Sequence, residues 1–212
     1  MTEGVAPAPA SRRGIAPARL ALVAVVAALL GIAGAAGAHR VLQHGGTAPL
    51  ALPSLNGQIV WDKGERAEPP VLLRDQNGAT VSLAADRGST VVVAFLASRC
   101  GQCAAVARTL RQTLGLLPGG ARPQLVIVGT SGDTPVDARA AVKRWQLPRD
   151  VHWLVGTGGQ IARVRHDFGI PTVKAHVLYL IDKSGYERTG YLYPFLPDVV
   201  ARDLRTLAGE AS

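Results

Sequence analysis

Residues 90–106 read TVVVAFLASRCGQCAAV. Thr90 to Leu96 is a continuous apolar run rich in β-branched residues, the pattern of a strand buried on both faces. Beyond it the spacing changes. Val106, Leu110, Leu114 and Leu117 recur at helical intervals, which predicts a helix over residues 102–117. Gly115 weakens its last turn, and Pro118 with Gly119-Gly120 stops it. The only two cysteines of the chain, Cys100 and Cys103, fall at the junction between strand and helix. Sites in α/β sheets gather at such carboxyl ends of strands.

The same alternation extends in both directions. Upstream, Val71–Leu73 and Thr80–Leu83 flank Asp75-Gln76-Asn77-Gly78, a hairpin with Asn-Gly at its turn. Downstream, Gln124–Val128 is a second buried strand. A helix over 135–145 is entered through Asp133-Thr134-Pro135, a cap followed by a first-turn proline. A short strand at 153–155 and a helix at 160–168, stopped by Gly169, come next. A strand at 176–181, an Asp182-Lys183-Ser184-Gly185 turn, a strand at 186–193 and a closing helix at 197–207 complete the chain. This order predicts an α/β domain over residues 59–212, a mixed sheet flanked by helices.

The N-terminal part reads differently. Residues 20–38, LALVAVVAALLGIAGAAGA, carry no charge. A helix of that length spans about 28 Å, close to the roughly 30 Å of a bilayer core. Arg12, Arg13 and Arg19 precede it, so the positive-inside rule leaves residues 1–19 in the cytoplasm and exports the rest. The expectation is a single-pass anchor in the cell membrane with an extracytoplasmic C-terminal domain. A cleaved signal peptide is the competing reading, because Ala36-Gly37-Ala38 fits a cleavage site, but the apolar run is longer than a usual signal core. Ser11-Arg12-Arg13 resembles a twin-arginine export signal, on two residues only. Residues 39–58 hold Gly45, Gly46, Pro49, Pro53 and Gly57, a linker or an irregular arm lying on the domain.

The net charge is +8, scattered rather than run together, and aromatic residues are 5%. Neither a basic arm nor a stacking platform is present, which argues against nucleic acid as a partner.

Two cysteines three apart close too small a loop for a useful structural staple, so the pair asks for a chemical explanation. At a helix start, unpaired amides favour the thiolate, the reactive form. Cys100 is then the exposed nucleophile and Cys103 the resolving thiol, with Arg99 a nearby positive charge and Gly101 easing the tight entry. The alternative is metal binding, for which two thiolates suit Cu(I). Structural zinc wants four protein ligands, and no second cysteine pair exists. A third ligand would be a histidine. His39 and His44 lie in the linker, His166 reads as a surface residue and His152 is uninformative. His176 enters a strand that should lie near the cysteine helix, and it is the candidate. Gly169-Ile170-Pro171-Thr172 resembles the Gly-Ile-Pro-Thr that carries the cis-proline of thioredoxins. Ten residues separate Pro171 from Asp182, however, and an ordinary loop proline fits better.

An ordered set of short segments resembles the SCO/SenC family over roughly residues 70–185. It comprises Leu73-Arg74-Asp75-Gln76-Asn77-Gly78 with Val81-Ser82-Leu83, Val91 to Leu96 before Cys100, and Ser131-Gly132-Asp133-Thr134-Pro135. Trp153-Leu154-Val155-Gly156 and Tyr179-Leu180-Ile181-Asp182 continue it. The resemblance implies a membrane-anchored, thioredoxin-like protein. It implies copper bound through two cysteines and a histidine, and assistance to cytochrome oxidase assembly. The client would be a cysteine- or copper-containing protein such as an oxidase subunit. Two departures fall at the chemistry. The family usually has three residues between its cysteines, and its histidine position corresponds to Lys174, with His176 two residues later. Positions two apart face the same side of a strand, so a shorter cysteine loop and a shifted histidine can compensate. Three readings stay open: a copper-binding assembly factor, a membrane-tethered thiol–disulfide oxidoreductase, and a binding domain with a passive disulfide.

Overall fold

The computed structural model describes residues 55–129, 132–170 and 176–211. The expected anchor at 20–38, Pro171 and Lys174 lie outside the described residues, and no helix among those described is long and apolar enough to cross a membrane.

The strands are β1 (Ile59–Val60), β2 (Leu72–Asp75), β3 (Thr80–Ser82), β4 (Val91–Leu96), β5 (Gln124–Gly129), β6 (His152–Val155), β7 (Val177–Ile181) and β8 (Glu187–Leu192). The helices are α1 (Gly101–Gly115), α2 (Pro135–Arg144), α3 (Gly158–Asp167) and α4 (Pro197–Gly209). One sheet runs in the order β1-β8-β7-β4-β5-β6-β2-β3. The strands β4, β5 and β6 are parallel neighbours, joined through α1 and α2, as crossover connections require. The others pair antiparallel, with β7 between β4 and β8.

The apolar runs of the sequence are explained by two cores, one on each face. Along β4, Val92, Ala94 and Leu96 pack with α1, α2 and α4, while Val91, Val93 and Phe95 pack with α3 and the hairpin. Phe95 meets Phe168 edge-on at 5.3 Å between centroids. Fully burying such a ring stabilises by about 1.5–3 kcal/mol. On β7 the even-numbered Leu178 and Leu180 face the α1 side, and Tyr179 faces the other.

Element boundaries shift where caps decide them. The helix expected from residue 160 starts at Gly158, because Thr157 and Gln160 form a capping box. The helix expected to reach residue 117 ends at Gly115, short of Pro118, whose ring disfavours helical geometry just before it. Residues 55–58 form the arm lying on the domain. Leu55 is buried, and Asn56 donates from its backbone and side chain to Asp203 at 2.7 and 2.6 Å. A Cβ on Gly57 would meet Thr189 Oγ1 at 1.9 Å, so this approach requires glycine.

Candidate redox and metal site

The loop between β4 and α1 is built to hold two sulfurs. The Cys100 N–H donates to Ala97 O at 3.1 Å and closes the turn. Cys100 is the N-cap of α1, with extended backbone, and its Sγ accepts from the Cys103 N–H at 3.1 Å. A sulfur thus takes the role that a Ser or Asp oxygen plays at most helix starts. Cys103, 0% exposed, lies under the first turn, and its Sγ accepts from the Ala97 N–H at 3.4 Å. The pair is joined as a disulfide, Cα to Cα 5.2 Å. Cys100 is half-buried, so one sulfur faces outward and the other faces the core.

Of the histidines in the described residues, only His176 comes to the cysteines. Its Nε2 is 3.9 Å from Cys100 Sγ and its Nδ1 is 3.8 Å from Cys103 Sγ. The topology accounts for this. With β7 antiparallel to β4 and Ala94 opposite Leu178, continuing the register sets His176 level with Leu96, at the end where the cysteine loop begins. Its even number puts it on the α1 face. The Tyr193 N–H donates to His176 O at 3.0 Å and pins its backbone. His152 bonds instead to Asp75 Oδ2 at 3.0 Å, and His166 is exposed beside Asp167. Burial favours the neutral form of Asp75. Bonds from His152 and from the Asn77 and Ala79 amides outweigh it and hold that carboxyl below its ordinary value.

The sequence reading missed Asp133. Its carboxylate accepts from Ser98 Oγ at 2.6 Å, from the Ser98 N–H at 3.2 Å and from Trp153 Nε1 at 3.3 Å. It ties the cysteine loop to β6, while Thr134 is the true cap of α2. The Asp-Thr-Pro triplet was the available signal, although it reads as a helix start alone. Arg144 adds a bond to Ser98 O at 2.6 Å. Arg99, expected as a charge beside Cys100, turns to Asp137 at 2.9 Å. The Arg99 guanidinium, then Thr134, hold the Asp137 carboxyl down at about 2.

The ligand atoms of Cys100, Cys103 and His176 lie within 4.8 Å of one another, close enough to bind one metal ion. The donor set fits Cu(I), since soft thiolates and an imidazole select it. Both sulfurs must be thiolates to ligate, so the disulfide and the metal-bound form exclude each other.

No family model matches the sequence. Peroxiredoxin Q of Sedum lineare is 31% identical over 159 residues, 72% of this chain and 79% of that protein. Yeast Sco1 with copper bound superposes at TM-score 0.60 with 16% identity, over 69% of this chain and 91% of that one. The thioredoxin domain of a thiol-disulfide oxidoreductase from Bacteroides vulgatus superposes at TM-score 0.56 with 17% identity, over 68% and 96%. The SCO/SenC resemblance is thus met by solved Sco structures of the same thioredoxin-like fold, and at these identities the likeness is one of fold. By its sequence likeness over most of a relative's length, the chain belongs to the peroxiredoxin Q family of thioredoxin-like proteins.

Proposed function

We propose that this protein is a membrane-anchored, extracytoplasmic copper carrier. In its reduced form Cys100, Cys103 and His176 hold Cu(I) for delivery to a client, a respiratory oxidase subunit in the reading carried from the SCO/SenC resemblance. The convergence of the three ligand atoms within 4.8 Å carries the reading. It draws support from the copper-bound yeast Sco1 of like fold. Copper is cargo here. The buried Cys103 sets one ligand position from the core, and the half-buried Cys100 and His176 leave an open side for a client's sulfur or imidazole.

A second reading, thiol–disulfide exchange, is favoured by the disulfide and by the unequal exposure of its sulfurs. In the reducing direction the Cys100 thiolate attacks a client disulfide, forming a mixed disulfide and releasing one client thiolate, which takes up a proton. The Cys103 thiolate then attacks Cys100 Sγ and releases the second client thiol. Two electrons pass from the dithiol to the client.

The test is an anaerobic Cu(I) titration of the reduced full chain against a competing chelator, alongside Cys100→Ser and His176→Ala. Tight one-to-one binding, weakened by both changes, is expected. Weak binding indifferent to His176→Ala overturns the copper reading and leaves exchange, which turnover of a neutral disulfide then measures.

A further inference from the structure

A groove of about 710 Å³ opens beside Cys100. Arg99, Arg108, Arg111 and Arg144 line it, with Trp145 among its apolar residues and Cys100 at its edge. No carboxylate is among its lining residues. The stretch that carries Arg99, Arg108 and Arg111 has none to offer, since no Asp or Glu occurs between Asp86 and Asp133. Arg108 and Arg111 are exposed on α1, one turn apart. Like charges so placed repel each other, a disposition that packing alone does not reward. Arg111 donates to the Gln146 side chain and Arg144 to Ser98 O, both neutral acceptors, and the Arg144 guanidinium lies 5.5 Å over the Trp145 ring, so neither meets a carboxylate among the described residues. Of the four, Arg99 is the one in an ion pair among the described residues, with Asp137.

We propose that this groove receives an acidic peptide segment of the client whose sulfur meets Cys100. The inference rests on the reading of the cysteine pair as a site that meets a client protein. Guanidinium forks match carboxylates two bonds at a time. The wall is concave and continuous with a sulfur centre, so it suits a chain lying along it better than a flat lipid surface.

The experiment separates the groove from the sulfur chemistry. A fluorescent acidic peptide without cysteine is titrated into the full chain, next to a neutral peptide of equal length and vesicles containing an anionic lipid. The acidic peptide should bind at least about tenfold tighter than the neutral one, and weaken as salt shortens the screening length. Arg108→Glu with Arg111→Glu should remove that preference. Cys100→Ser should keep it, even if copper binding and exchange both prove absent. Equal affinity for the two peptides, binding undiminished by the double charge reversal, or binding of the vesicles alone would each overturn the proposal.

Discussion

The two ends of β4 and β7 handle charge in opposite ways. At the end where β7 leaves the sheet, arginines face acids. Arg188 reaches Asp182 at 3.3 Å and also Glu210, Arg66 reaches Glu187 at 3.1 Å, and Arg87 reaches Glu68 at 3.5 Å. Lys183 closes the terminus of α4 through Ala208 O at 2.6 Å. At the cysteine end the arginines line a groove that holds no carboxylate. Buried charge needs its partner for the fold to persist, whereas charge at a surface groove can be left for a ligand. One end ties its charges into the fold, whereas the other leaves arginine charge at the surface beside the cysteines.

The largest break should come at the cysteine end and be chemical. Cys100→Ser should abolish both disulfide formation and dithiol exchange, read by thiol titration and turnover, with the reduced protein's unfolding midpoint almost unchanged. The next should come at the charged end and be structural. Arg188→Met strands Asp182 and Glu210, and urea unfolding should show a loss of about 3 kcal/mol. Copper affinity of the reduced pair should not move.

Glu187 sharpens the contrast through pH. Burial pushes its carboxyl up to about 7, with Arg66 offsetting part of the rise. The folded form therefore holds this proton more tightly than the unfolded chain does. Its contribution to stability is full below about pH 4.5 and is lost as pH rises to about 7. Glu187→Gln should lack that slope, and above pH 7 should exceed the parent protein by about 2 kcal/mol in urea unfolding. The smallest effect belongs to the cap of α2. Thr134→Ala should cost about 1 kcal/mol in the same measurement. It should slow exchange only modestly, because Asp133 still holds Ser98.

Much of the fold was legible because its signals are local. The apolar run of β4, the heptad-like spacing of α1 and the Asn-Gly turn each report on neighbours within a few residues. The strand at Ile59–Val60 was not legible, because its side chains are exposed and only pairing with β8 makes it a strand. Likewise, the hairpin could be read from the sequence, but its place beside β6 could not. That pairing joins Arg74 to Val155 across the chain.

The candidate site divides along the same line. The sequence by itself determined that two sulfurs stand at a strand-to-helix junction, since a short buried strand, Cys-x-x-Cys and a helical repeat are consecutive. It also set the arginine-rich, acid-free composition of that stretch. Only the tertiary structure decided that His176 faces the sulfurs, that Asp133 holds their loop and that Arg144 joins Arg108 and Arg111 around one groove. These groups come from segments far apart in the chain. What brings them together is the antiparallel insertion of β7 beside β4 and the packing of α2 against the sheet, and packing of that kind leaves no local period in the sequence.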